Sequence, residues 1–198
     1  KLLESGEYGA LRGIRAFVTW NRTAEYYAAA EWKGKWASEG GGALINQAIH
    51  TLDLVLGFLG EPEVAEAAMS NRHLRGVIEV EDTVEIYLER GGVPALIYAS
   101  NAYSQDAPVL IELHLERATV RLEGARTEIR IGDAQQRFEP STEPVLGRAY
   151  WGPGHLACIV DFYRSVANRT PYANAPKACE TTMRVLLSLY DQCRESLK

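Results

Sequence analysis

The sequence predicts an α+β domain: a large, mostly antiparallel open β-sheet with helices packed on one face. Three observations carry this expectation. Between residues 64 and 138, apolar residues alternate with polar ones over run after run, which is the period of a pleated strand. At 45–59, 155–169 and 177–197 they recur instead at helical spacing. Strands gathered in one block, with helices segregated before and after it, fit an antiparallel sheet under helices better than a βαβ succession. The chain has 198 residues, 46% hydrophobic and 24% charged, enough to bury one good core and too apolar for a disordered segment.

Taken in order, LRGIRAFVTW (11–20) sets Ile14, Ala16, Val18 and Trp20 against Arg15, Phe17 and Thr19, a strand that Asn21 breaks. RTAEYYAAAEWKGKW (22–36) is crowded with aromatics and shows no sustained period. The stretch SEGGGALINQAIHTLD (38–53) opens with three glycines onto Ile45, Ala48, Ile49, Leu52, Val55, Leu56 and Leu59. These follow helical spacing and stop near Gly60, before Pro62. Strands are expected in EVAEAAMSNRHL (63–74), in VEDTVEIYLERGGVPALIYASNAY (80–103) with Gly91-Gly92 as its hairpin turn, in VLIELHLERATVRLEG (109–124) and in TEIRIG (127–132). The loop EPSTEPVLGRAYWGPGH (139–155) leads to two helices, HLACIVDFYRSVANR and the run from Lys177 to Leu197. In the second, Cys179, Met183, Leu186, Leu187, Tyr190 and Cys193 form the expected inward stripe. VLIELHL and ALIYASNAY are apolar on both alternations, so the second face of the sheet is expected to be an oligomer interface, closed by another copy in a homodimer or homotetramer.

A net charge of −5, a pI near 5.5 and no local Lys/Arg cluster weigh against nucleic acid as a partner. No apolar stretch reaches the roughly 18 residues of a membrane span, and KLLESGEYG lacks the apolar core of a signal peptide. Cys158, Cys179 and Cys193 are odd in number, far apart and set in apolar helical patterns without a CxxC pair. They read as reduced core residues, and the expected location is cytoplasmic.

The glycines could cradle a phosphate at a helix start, but a dinucleotide fingerprint needs GxGxxG after a strand, and a P-loop needs a following Lys and Ser or Thr. Neither is present, and tight packing at a helix start explains three glycines as well. Asn46, His50 and Asp53 stand at i, i+4 and i+7, within roughly 40° of one another on an α-helix, a narrow polar stripe on an apolar helix. That set supplies too few ligands for a metal, so no metal site is expected. Two readings stay open: a hydrogen-bonded structural histidine, or a general acid/base at His50 with Asn46 fixing a substrate hydroxyl. Arg22, Tyr26, Tyr27, Trp32 and Trp36 precede the glycines, and Tyr150 and His155 precede the penultimate helix. Their hydroxyl, NH and ring surfaces suit a sugar-like ligand or, equally, packing. His73 and His114 fall in strand patterns and read as structural.

Taken together, R-x-x-x-Y-Y (22–27), W-K-G-K-W-A-x-E-G-G-G-A-L-x-N-Q-x-I-H-x-x-D-L (32–54), V-E-D-T-V (80–84), and G-P-G-H (152–155) followed by I-V-D-F (159–162) resemble one family. It is the C-terminal domain of the glucose–fructose oxidoreductase/inositol dehydrogenase/rhizopine-catabolism (Gfo/Idh/MocA) oxidoreductases. The resemblance implies a two-domain enzyme in which an N-terminal Rossmann domain binds NAD or NADP and this domain, residues 1–198, binds substrate and oligomerises. No GxGxxG and no Glu-Lys-Pro element, which carries the family's catalytic lysine, occurs here. The Rossmann domain is therefore expected to be absent from this chain, and the main cofactor site with it. KLLESGEYG matches the helix with which the family's C-terminal domain begins.

By the same resemblance, His50 is the acid/base that works with that lysine. The position of Asn46 is often Asp, and an Asn there implies hydrogen bonding to the reacting hydroxyl or to the nicotinamide carboxamide. Arg22, Tyr26, Tyr27, Trp36, Tyr150 and His155 are the expected substrate contacts, with Asp53 supporting from behind. The implied reaction moves a hydride between nicotinamide and a hydroxyl-bearing carbon of a sugar, inositol or nucleotide-sugar, and the isolated domain is expected to be inactive. The alternatives are NAD-dependent glycoside hydrolysis on the same fold, or a non-catalytic dimerisation or sensing module.

Overall fold

A computed structural model describes residue 3, residues 5–138 and residues 154–194. Eight strands form one sheet: β1 (Leu11–Thr19), β2 (Val64–Ser70), β3 (Thr83–Arg90), β4 (Val93–Ser100), β5 (Leu110–Leu115), β6 (Thr119–Glu123), β7 (Arg126–Ile131) and β8 (Ala134–Phe138). Their order is β2-β3-β4-β1-β5-β6-β7-β8. Neighbours run antiparallel except β1 and β4, which pair in parallel because β1 is inserted between two antiparallel blocks that form later in the chain. The β1-to-β2 connection carries the short helix α1 (Ala24–Ala28), a π-helical turn (Ala43–Ala48) and α2 (Ile49–Leu59). After the strands come α3 (Gly154–Asn168), a 3-10 turn (Pro176–Cys179) and α4 (Glu180–Cys193).

Alternation builds the core. Ile14, Ala16 and Val18 of β1, Val84, Ile86 and Leu88 of β3, Ala95, Ile97 and Ala99 of β4, and Ile111 and Leu113 of β5 are all buried on the closed face. Leu52, Val55, Leu56 and Leu59 of α2 and Val185, Leu186, Leu189 and Tyr190 of α4 belong to the same cluster. Each fully buried Leu among them contributes about 1.5–3 kcal/mol of transfer free energy, so this contact holds the helices to the sheet. Helix α2 stops at Gly60, which takes φ +85° and donates its NH to Leu56 O at 2.7 Å. A side chain there would meet the Arg90 guanidinium. Gly91 and Gly92 both take positive φ, as a two-residue hairpin between Arg90 and Val93 requires.

The open face has two zones. Phe17 and Leu96 are exposed and, with half-buried Tyr87 and Tyr98, line a shallow apolar groove across β1, β3 and β4. Beyond it, Glu112 of β5 lies buried beneath Arg15, His114 and Arg121. It accepts from Arg15 Nε at 2.9 Å, pairs with His114 Nε2 at 2.7 Å, and has Arg121 Nη1 at 3.8 Å.

Several expectations are corrected. The strand expected through residue 74 ends at Ser70, because Leu74, Ile78 and Val80 turn aside to build a second small cluster around Tyr27. Helix α4 is rotated relative to its expected stripe. Thr182, Val185 and Leu189 join Leu186, Tyr190 and Cys193 inside, whereas Cys179, Met183 and Leu187 are exposed. The Thr182 hydroxyl bonds to Asp53 of α2, which holds the helix in that phase. Of the three cysteines only Cys193 is buried, while Cys158 and Cys179 are exposed. The described residues of KLLESGEYG form turns rather than a helix, with Gly6 and Gly9 at positive φ. Within α3 only Ser165 is buried. Among the described residues no helix is long and apolar enough to cross a membrane.

Candidate active site

The glycines of SEGGGALINQAIHTLD bring the chain against two buried polar groups. Gly40 takes φ +81°, Gly41 lies against the Tyr190 hydroxyl, and Gly42 lies against the Glu81 backbone, so a Cβ at either of the last two would collide. The close approach directs the amides that open the helix at Glu81. Its Oε2 accepts from Gly42 N at 3.0 Å, its Oε1 from Leu44 N at 2.9 Å, and its backbone oxygen from Ala43 N at 3.0 Å. The Tyr190 hydroxyl donates to Glu81 Oε1 at 2.7 Å and accepts from Ile45 N at 3.2 Å. The donors that a phosphate would need are thus occupied by the protein itself, and this helix start is not a phosphate cradle. Glu81 is fully buried. Burial pushes its carboxyl pKa above the usual 4.5, and the bonds from Leu44, Tyr190 and Gly42 pull it back. Burial first, and the Glu81 charge second, push the Tyr190 hydroxyl upward.

Asn46 sits in the π turn and His50 in the first turn of α2. A π turn bonds i to i+5 and winds less per residue than an α-helix, so the stripe is not the straight line that α-helical spacing predicts. Asn46 is half-buried, and its Nδ2 donates to Glu39 Oε1; Glu39 Oε2 in turn accepts from Gly34 N. His50 is exposed. Asp53, also exposed, accepts from Thr182 Oγ1 at 2.5 Å and so ties α2 to α4.

The aromatic segment before the glycines makes a second group. The Arg22 guanidinium lies 4.9 Å from the Trp20 ring centroid and 5.1 Å from that of Tyr26, and its Nη1 donates to Asp106 Oδ1 at 2.9 Å. Lys33 Nζ stands 3.6 Å over the Tyr26 ring. Tyr27 is buried and its hydroxyl accepts from Asn101 Nδ2 at 3.0 Å, while that amide also donates to Gln47 Oε1 at 3.0 Å. Burial drives the Tyr27 hydroxyl upward. Trp36 packs edge-on against Tyr190, with centroids 5.8 Å apart.

The structure therefore places Asn46 and His50 one turn apart at one helix start, with Glu39 bonded to Asn46. It joins Arg22 to Tyr26 in a cation–π stack, and it links Tyr27 and Trp36 to the helix start from below, through Asn101–Gln47 and Tyr190–Glu81. Trp32 is exposed on the same loop. His155 is the second residue of α3 and exposed; Tyr150 lies outside the described residues. Among the described residues no three His, Cys, Asp or Glu side chains are grouped to hold a metal. Sequence reasoning missed Glu39, Glu81, Asn101 and Tyr190. Two of them left a trace: a carboxylate directly before a triple glycine, and a charged Glu81 directly after Val80 at the head of an apolar strand.

A profile of the GFO/IDH/MocA C-terminal domain matches residues 1–121, more than half of the chain. No curated protein sequence matches it. Among solved structures, the WlbA dehydrogenase from Bordetella pertussis in complex with NADH and UDP-GlcNAcA is 26% identical, with a TM-score of 0.77 over 99% of this chain and 56% of that one. An oxidoreductase from Agrobacterium radiobacter, in complex with NAD+, L-tartaric acid and magnesium, shares the fold at 18% identity, with a TM-score of 0.81 over 98% of this chain and 58% of that one. UDP-N-acetylglucosamine 3-dehydrogenase GnnA from Acidithiobacillus ferrooxidans does so at 16% identity, with a TM-score of 0.73 over 100% and 58%. The chain thus spans less than three fifths of the length of each of these proteins. Profile match and fold agree: the chain belongs to the GFO/IDH/MocA C-terminal domain family of oxidoreductases.

Proposed function

We propose that this chain is the substrate-side domain of an NAD(P)-dependent oxidoreductase acting on a hydroxyl-bearing carbon of a sugar, inositol or nucleotide-sugar. The observation that carries the reading is the exposed His50 one helical turn after the half-buried Asn46, on a helix whose start is anchored to the core by a buried carboxylate. When an alcohol is oxidised its carbon gives up a hydride and its oxygen a proton. His50 takes that proton from the hydroxyl and returns it in the reverse direction, and Asn46 hydrogen-bonds the same substrate. The nicotinamide cofactor supplies the hydride acceptor. Its phosphates do not fit the glycine-rich start, where Glu81 and Tyr190 already occupy the amides, which supports the reading that a Rossmann domain of the parent enzyme binds them. Arg22 and Tyr26, with Trp32 nearby, offer ring and cationic surface for a polar ligand.

The apolar groove of Phe17, Tyr87, Leu96 and Tyr98 supports assembly with a second copy through the open face of the sheet. Two exposed thiols, Cys158 and Cys179, fit a reducing compartment such as the cytoplasm. The decisive test is His50→Ala in the full-length parent. Turnover is expected to fall by about 10²-fold or more, the usual yield of a positioned acid/base. Near wild-type kcat would return His50 to a structural role. Calorimetry on the isolated chain is expected to show no binding of NADH at micromolar concentration, and micromolar affinity would overturn the assignment of the cofactor to another domain.

A further inference from the structure

Asn46 is bound on one side only. Its Nδ2 donates to Glu39, and among the described residues no group donates to its Oδ1. An ionised carboxylate can only accept hydrogen bonds, so Glu39 requires the amide of Asn46 to turn its NH2 toward the loop. Glu39 is itself fixed by the Gly34 amide, on the far side of a turn in which Gly34 and Gly40 both take positive φ. The triple glycine then folds the chain back, so that residue 39 reaches residue 46 on the first turn of the helix.

We infer that Glu39 is a positioning residue that sets Asn46 as a hydrogen-bond acceptor, with Oδ1 presented to a ligand group that donates: a polyol hydroxyl or a primary amide NH. This rests on the reading of Asn46 as substrate-facing and adds to it the polarity of the contact. It also accounts for the choice of residue. A carboxylate at position 46 would abut Glu39, and two carboxylates in contact cannot both stay ionised at low cost. Asn46 and Glu39 are therefore matched to one another, and exchanging the two functions between the positions preserves the pair.

The test uses this chain and NMR. In the unsubstituted protein the Asn46 side-chain NH2 resonances are expected to move as the pH falls through carboxylate protonation, and in Glu39→Gln that movement is lost. Equal movement in both proteins overturns the pairing. In Asn46→Asp one of the two adjacent carboxyls, at position 39 or 46, is expected to titrate at least about one unit above the free-carboxyl range, because the pair resists carrying both charges. In the double variant Glu39→Gln/Asn46→Asp the carboxyl left at position 46 titrates in that range or below, since the Gln NH2 now donates to it. Two unshifted carboxyls in Asn46→Asp, or a raised carboxyl in the double variant, overturns the inference. These titrations read the pair directly and owe nothing to turnover, so they can fail while His50→Ala behaves as expected, and the reverse.

Discussion

The two faces of one sheet differ in how far the chain itself completes them. On the closed face, Ile14, Val18, Val84, Ile86, Leu88 and Ile97 meet helices supplied by the same chain, and the cluster is buried. On the open face the same strands present Phe17, Tyr87, Leu96 and Tyr98, yet Leu96 remains 56% exposed. Both faces carry apolar side chains at strand period. Pattern therefore announces that a surface is suited to burial, and only the fold tells whether the chain itself performs it. Helix α3 repeats the lesson. Leu156, Ile159, Val160, Phe162 and Val166 have helical spacing, and every one of them is exposed.

The largest expected effect lies where the closed side is most polar. Glu81→Ala removes the acceptor of Gly42 N, Leu44 N and the Tyr190 hydroxyl and strands three donors in the interior. We expect a loss of about 3–5 kcal/mol in urea unfolding, the scale for removing one partner of a buried charged network. A loss below about 1 kcal/mol would mean that water or relaxation replaces the carboxylate. Next comes a matched pair of leucines. Leu52→Ala, fully buried on α2, is expected to cost about 2–5 kcal/mol, with a lower denaturant midpoint at unchanged slope.

Leu96→Ala on the open face is expected to change the stability of the single chain by less than about 0.5 kcal/mol. If a second copy closes the open face, as proposed, the same change is expected to weaken self-association in sedimentation. If Leu96 behaved like Leu52 under dilute conditions, the two faces would not differ as described. The smallest effect is electrostatic. The Arg184 guanidinium, bonded to Glu61 at 2.5 Å, holds that exposed carboxyl below its ordinary 4.5. A carboxyl whose folded pKa is depressed contributes stability that is fully present above its unfolded value and is lost as the pH falls through the folded one. Arg184→Met should therefore flatten the acid limb of the thermal midpoint below about pH 4.5 and leave the neutral-pH value nearly unchanged, because exposed pairs contribute little.

Much of the fold was legible from residue pattern. The alternation of LRGIRAFVT, the Gly91-Gly92 hairpin and the stop of α2 at Gly60 all follow from local chemistry, and the structure has them there. The phase of α4 was not legible, because Thr182 is drawn inward by a bond to Asp53, a residue 129 positions away in the chain. The distant partners of the glycine-rich helix start were hidden for a similar reason: its free amides bond to Glu81 and Tyr190, far away in the chain. In the candidate site, Asn46 and His50 stood out as polar residues on an apolar helix. Glu39 did not, since its meaning depends on a reversal of chain direction that three glycines permit but do not spell out.

The parallel pairing of β1 with β4 has a consequence for how the molecule comes to exist. β1 is made first and ends in the middle of the sheet, with neither neighbour close to it in the chain; Arg15 meets Glu112 across a separation of 97 residues. Contacts that distant form late, because the entropy of closing the loop is lost before the pairing returns anything. During synthesis β1 must wait as an unpaired apolar segment until β4 and β5 have emerged, whereas β3 and β4 can zip at once through their two-residue turn. The strand at the centre of the finished sheet thus depends on partners made long after it, and in that interval it is an unpaired apolar segment of the kind that favours aggregation.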